Sequence, residues 1–145
     1  MRCVVINDQA DINRLLTEAR VIALVGASAK THRDSYRVMF ALKERGYRVI
    51  PVNPRMAGEE LLGETVYGSL ADLPCPVDFI DLFINAEAAG EIIDEAIALN
   101  LPAVWMQLGV INEEAASRAV AAGLQVVMNR CPLMEFAKQD IPLPV

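Results

Sequence analysis

The run Val21-Ile22-Ala23-Leu24-Val25 ends in Gly26, and after a polar loop a segment with helical spacing runs from Asp34 or Ser35 to about Arg45. Apolar residues rich in β-branched side chains read as a strand buried on both faces, which belongs in a parallel sheet covered by helices. The glycine lets the backbone turn sharply out of that strand. A strand, a turn and a helix start form a natural anion site. The first helical turn carries unpaired N–H groups and the positive end of the macrodipole, and a residue without a side chain lets an anionic ligand approach the backbone.

The turn departs from the dinucleotide fingerprint G-x-G-x-x-G, because the places of the second and third glycines hold Ser28 and Thr31. The loop instead carries Lys30, His32 and Arg33, cations that can do what the missing glycines do not. The expected ligand is therefore rich in phosphate and bound differently from NAD.

The rest of the chain repeats the opening pattern. Asp8 to Ala19 reads as a covering helix, with Ile12, Leu15, Leu16 and Ala19 on one stripe and Asp8 or Asp11 as caps. Val38, Met39 and Leu42 form the buried stripe of the next helix, and Gly46 stops it. Tyr47 to Val52 is the second strand, Arg55 to Val66 an excursion at the sheet edge, and Ser69 to Leu73 one helical turn. Phe79 to Ile84, Ala103 to Met106 and Gln125 to Met128 are three further strands. Helices capped by Asn85 and Asn112 separate them, the second closed by Gly123. Unbroken alternation predicts one α/β domain with a five-stranded parallel sheet and helices on both faces, three layers in all.

In such sheets the ligand lies beyond the carboxyl ends of the strands, where strand order reverses. Those ends hold Gly26, Ala27 and Ser28, then Asn53 and Pro54, then Phe83 onward, then Gln107 and Gly109, and finally Cys131. Strand two ends without the carboxylate that NAD enzymes place there for ribose hydroxyls, which suits a phosphorylated ribose; Asn53-Pro54 equally opens a turn. Gln107 and Gly109 either hydrogen-bond a ligand or shape a loop. His32 reads as solvated or phosphate-facing rather than as a general base. The strand ends offer no pair of carboxylates, no metal-ligand cluster and no nucleophile–base set, so the expectation is a binding protein without catalytic machinery.

Charge and cysteine count close off other classes. A net charge of −6 over 145 residues argues against a nucleic-acid partner, which needs a broad basic face. The aromatic fraction of 6% beside a hydrophobic fraction of 54% suits an aliphatic α/β core. Cys3, Cys75 and Cys131 are odd in number and far apart, which suggests neither a disulfide framework nor a zinc site. No apolar stretch approaches the ~18 residues of a membrane span, and no signal-like start is present, so a cytoplasmic location is expected.

Several motifs in order resemble the small bacterial CoA-binding-domain proteins, whose Rossmann-like fold is similar to the CoA-binding N-terminal domain of the succinyl-CoA synthetase alpha subunit. They are Val25 to Ser28, Ser35 to Val38, Gly46 to Pro54, Trp105 to Val110 and Val126 to Pro132, within a likeness spanning Asp11 to Glu135. The resemblance implies binding of coenzyme A or an acyl-CoA. It places the Gly26 to Ser28 turn and the segment Arg33, Asp34, Ser35 and Tyr36 near phosphates, and Asn53, Pro54 and Phe83 near the adenosine end. Two positions depart from the family pattern: Ile84, where a basic residue is common, and Asn129, where Asp is. The synthetase's second domain, with its phosphorylated histidine, has no counterpart. Two other classes stay open: an NAD(P)-type redox protein, disfavoured by the missing glycine and acidic residue, and a regulatory or scaffold domain whose ligand controls contact with a protein partner. Cys131 is either a packed thiol or the group that meets the thiol arm of CoA, with Arg130 beside it to favour the thiolate.

Overall fold

The strands alternate cleanly between two cores. In β1 (Val21–Val25), Ile22 and Leu24 point to one side of the sheet, Ala23 and Val25 to the other, and all four are buried. The computed structural model describes residues 9–138, so Cys3 and the possible cap Asp8 lie outside the described residues. Before β1 comes helix α1 (Gln9–Glu18), with Ile12 and Leu16 fully buried. After it come α2 (Asp34–Glu44) and β2 (Arg48–Val52).

A two-stranded hairpin follows, β3 (Glu60–Leu61) and β4 (Glu64–Thr65). Its turn is Leu62-Gly63, both with positive φ as a two-residue hairpin turn demands. The second half of the chain is β5 (Phe79–Leu82), α3 (Ala86–Ala98), β6 (Ala103–Met106), α4 (Glu113–Ala121), β7 (Gln125–Met128) and α5 (Pro132–Lys138).

The five long strands form one parallel sheet in the order β2-β1-β5-β6-β7, a Rossmann-like α/β arrangement. The chain moves outward from β1 to β2 and then returns to the other side of β1 to begin β5. The switch point is therefore between β1 and β5. Pro51, which cannot donate to a ladder, is tolerated because β2 is an edge strand of this sheet. The segment after it shields that edge: Tyr67 N–H donates to the Pro51 carbonyl, and Arg48 pairs with Glu64 of β4 at 3.1 Å.

Helices α1, α2 and α5 cover one face, over Ile22, Leu24, Phe79 and Trp105. Tyr47 closes the end of this core by donating to the Leu16 carbonyl, and burial pushes its phenol up to about 12. The other face carries α3, which buries Ala89, Gly90 and Ala96 beside Ile93, and α4, which buries Ala115, Ala116 and Ala119. Small residues let these helices approach: a Cβ on Gly90 would stand 2.8 Å from Asn112 Nδ2, which donates to the Ala86 carbonyl. Each fully buried aliphatic side chain contributes ~1.5–3 kcal/mol, so the two cores dominate the stability.

Most expected elements form where the pattern puts them, with three corrections. Helix α2 is not capped by Asp34 or Ser35; its N-cap is Arg33, extended at φ −77° and ψ 143° and without a side-chain cap bond. Asp34 is inside the first turn, where a carboxylate still complements the dipole. Strand β5 ends at Leu82 rather than Ile84: Phe83 N–H still donates to the Val25 carbonyl at 2.8 Å, and the chain bends at Ile84 ahead of α3. Helix α5 was not expected, since seven residues are too few for a clear helical period.

Candidate functional site

The carboxyl end of β1 is fixed by backbone contacts before any ligand enters. Gly26 N–H donates to the Val52 carbonyl at 3.0 Å, and Ala27 N–H to the same oxygen at 3.4 Å. Gly26 has φ +91°, and a Cβ there would lie 2.4 Å from the Phe83 carbonyl oxygen. The glycine is therefore required by the approach of β1 to the end of β5. The Gly26 amide is itself bonded to Val52, so any anion held at this turn meets other backbone N–H groups.

The amides that remain open are further along. No side chain caps α2, so the N–H groups of Asp34, Ser35 and Tyr36 in its first turn lack intrahelical partners. Of these residues, Asp34 and Ser35 line a cleft of about 500 Å³, together with Gly26, Ala27, Ser28, Lys30, Arg33, Asn53, Arg55, Met56 and Phe83. Three cations and one carboxylate thus surround a helix N-terminus, the electrostatic setting for a multiply charged anion. Local bonds set the loop: Ser28 Oγ accepts from Lys30 N–H at 3.1 Å, and Arg33 N–H donates to the Lys30 carbonyl at 3.0 Å.

Asn53 acts on structure with both ends of its carboxamide. Its Nδ2 donates to the Ala27 carbonyl at 2.8 Å, and its Oδ1 accepts from Arg55 N–H at 2.9 Å. The first bond ties β2 to the glycine turn. The second starts the turn that delivers Arg55 to the cleft.

A second lobe of about 540 Å³ adjoins the first, sharing Asp34 and Phe83 in its lining. Its walls are Val38, Ile84, Leu108, Val110, Leu133 and Cys131, with Arg37, Asn85 and Gln107 as polar members. One lobe is cationic and the other chiefly apolar. Ile84, a departure from the family pattern, is part of the apolar wall, and Arg55 and Arg37 bring cations from other elements.

Eight of the expected site residues line the cationic lobe: Gly26, Ala27, Ser28, Lys30, Arg33, Ser35, Asn53 and Phe83. Gln107 and Cys131, with Phe83 again, line the apolar one. Tyr36, Pro54 and Gly109 line neither. Tyr36 packs against the core, and the Gly109 amide is taken by Asn129 Oδ1 at 2.8 Å. Asn129 itself has φ +61°, which Asn and Asp tolerate, and either would supply that acceptor. His32 is exposed and outside both linings. Arg130 turns to Glu135, at 3.1 Å, rather than to the neighbouring thiol. Sequence reasoning missed Arg55, Met56 and Arg37 as lining residues; the position of Arg55 directly after the strand-two turn was the available signal.

Residues 20–137 match the model of the CoA binding domain family. The chain belongs to that family. This CoA-binding domain is 33% identical over 123 residues to YneT, an uncharacterized protein of Bacillus subtilis, covering 85% of this chain and 90% of that one. It superposes on a hypothetical protein from Pyrococcus horikoshii with a TM-score of 0.87 at 40% identity, covering 95% and 96% of the two chains. The domain also matches part of a larger enzyme, the dinucleotide forming acetyl-coenzyme A synthetase 1 of Ca. Korarchaeum cryptofilum, solved with phosphate and ADP. There the TM-score is 0.68 at 25% identity, over 82% of this chain and 27% of the enzyme.

Proposed function

We propose that the protein binds coenzyme A or an acyl-CoA at the carboxyl edge of its sheet, with the phosphorylated nucleotide in the cationic lobe and the thiol-bearing arm in the apolar lobe. The observation that carries this reading is the uncapped N-terminus of α2 opening onto Lys30, Arg33 and Arg55, beside a β2 end with no carboxylate. A ligand with several phosphates gains charge-assisted bonds there. The neutral lobe next to it suits an uncharged extension of the same ligand. Membership of the CoA-binding domain family supports the same assignment. The lining of the two lobes holds one carboxylate, Asp34, and one thiol, Cys131, and no pair able to act as general acid and base. The role is binding, and control of a protein partner by the bound ligand is a further use of the same site.

Calorimetric titration with CoA, NAD and NADP at low salt tests the assignment. CoA is expected to bind most tightly, and equal or tighter binding of NAD overturns it. The position of Cys131 on the apolar lobe supports a second, redox reading. Its thiolate attacks one sulfur of CoA disulfide, forming a Cys131–CoA mixed disulfide and releasing the other CoA as thiolate. Peptide mass spectrometry after incubation with CoA disulfide is expected to find the adduct on Cys131; an adduct absent, or spread equally over Cys3, Cys75 and Cys131, rules this reading out.

A further inference from the structure

Four asparagine carboxamides at or near the carboxyl edge are all engaged with backbone. Asn53 bonds Ala27 and Arg55, Asn85 Oδ1 accepts from Ala88 N–H, Asn112 bonds Ala86 and Ala115, and Asn129 Oδ1 accepts from Gly109 N–H. Gln107 differs. Its backbone is held, with N–H donating to the Leu82 carbonyl at 3.4 Å and its carbonyl accepting from Val110 N–H at 2.8 Å. Its side-chain carboxamide makes no hydrogen bond among the described residues, and Oε1 is buried without a partner.

The residue is only 7% exposed and lines the apolar lobe. A buried carboxamide left unsatisfied is costly, and glutamine in such a place is retained where something completes its bonds. The apolar walls of the lobe, Val110, Ile84, Val38 and Leu133, supply no donor or acceptor from their side chains, and its polar members Arg37, Asn85 and Cys131 make no hydrogen bond to Gln107. The missing partner then belongs to what fills the lobe.

We infer that Gln107 recognises a secondary amide on an uncharged, flexible arm of the ligand occupying the apolar lobe. The buried Oε1 needs a donor, and the N–H of a ligand amide supplies one; because a trans amide holds its C=O on the opposite edge, the Nε2 donors are left for a second group of the arm or for solvent. A carboxylate would enter an apolar lobe where the one cation, Arg37, is an exposed residue. The inference rests on the CoA reading and deepens it, because the arm of CoA joins its pyrophosphate to its thiol through two secondary amides. Gln107 is thus the group that separates CoA from nucleotides carrying the same phosphates without the arm.

The test compares CoA with 3′-phosphoadenosine 5′-diphosphate, the nucleotide half alone, by calorimetry on the parent protein and on Gln107→Leu and Gln107→Met. Each variant removes the amide and keeps similar bulk, and a cooperative thermal melt establishes that it is folded before it is titrated. Both are expected to weaken CoA roughly three- to tenfold and to leave the nucleotide half unchanged. Unchanged CoA affinity, or equal loss on both ligands, in either folded variant overturns the inference. Parent protein that binds the nucleotide half as tightly as CoA removes the arm from the lobe while leaving the phosphate site standing. Failure of both ligands to bind the parent overturns the phosphate site as well.

Discussion

The two edges of the sheet each carry a cleft, and their chemistry is opposite. At the carboxyl edge an uncapped helix start meets Lys30, Arg33 and Arg55. At the amino edge a cleft of about 320 Å³ is lined by Asp11, Arg14, Glu18 and Asp78 among others. The polar groups of the second cleft are largely spent on the fold itself. Asp78 Oδ2 accepts from the N–H groups of Arg20 and Val21 at 2.7 and 2.9 Å, and Asp11 pairs with Arg14 at 3.5 Å. A parallel sheet with returning helices points the helix N-termini to one edge only, so that edge collects open donors and the other must satisfy its strand starts locally.

Substitutions at the two edges sharpen or break that contrast. The largest effect is expected at Gly26. Gly26→Ala places a Cβ against the Phe83 carbonyl and forces alanine into a positive φ, for a loss on the order of 3 kcal/mol in urea unfolding. Gly109→Ala, at φ +83° but with open space around it, is expected to cost about 1 kcal/mol. Similar losses at the two glycines would show that backbone conformation, not the approach of β5, dictates Gly26.

Arg33→Ala follows. Loss of a guanidinium–phosphate contact is worth about 1.5–3 kcal/mol, so CoA affinity is expected to drop tenfold or more at low salt. Arg14→Ala, at the opposite edge, is the control and is expected to leave that affinity unchanged. A drop in both variants, or in neither, would break the assignment of ligand to one edge.

Between the edges, Asp81 of β5 is fully buried on the α2 face with neither oxygen bonded, and burial pushes its carboxyl well above the usual carboxylate range. In the unfolded chain it ionises at about 3.9. Above that pH the unfolded chain has released a proton that the folded protein still holds, so folded stability falls as pH rises toward the folded value. Asp81→Leu is therefore expected to raise stability by about 1–3 kcal/mol at neutral pH, with a smaller gain near pH 4. A gain that does not grow with pH would mean that the carboxyl is not held protonated.

The smallest effect is set for Asp78. Asp78→Ala strands the amides of Arg20 and Val21 and is expected to cost about 1 kcal/mol in the same unfolding assay, with no change in CoA affinity. A change in affinity would tie the amino edge to the ligand and dissolve the contrast.

Much of this was legible in the sequence where local chemistry and tertiary demand coincide. Short apolar runs marked the five strands, Asn85 and Asn112 marked helix starts they do cap, and Gly46 and Gly123 marked helix ends with positive φ. Lys30 and Arg33 marked the polar half of the cleft, while His32 of the same loop lies outside it. The errors fall where a local signal has two readings. Asp34 carries a capping side chain, but the extended backbone belongs to Arg33, because the loop's bond from Arg33 N–H to the Lys30 carbonyl sets the helix start one residue earlier.

By itself the sequence determined the period of each element, the parallel α/β class and the charge of the Gly26 loop, since these depend on side-chain spacing and type along a few consecutive residues. Only the tertiary structure decided that Gly26 answers to the Phe83 carbonyl, that Asn53 is consumed in tying β2 to β1, and that Gln107 is left without a partner beside Cys131. Each of those facts depends on the distance between atoms many residues apart. Such distances are set when the sheet order β2-β1-β5-β6-β7 brings separate strand ends to one edge.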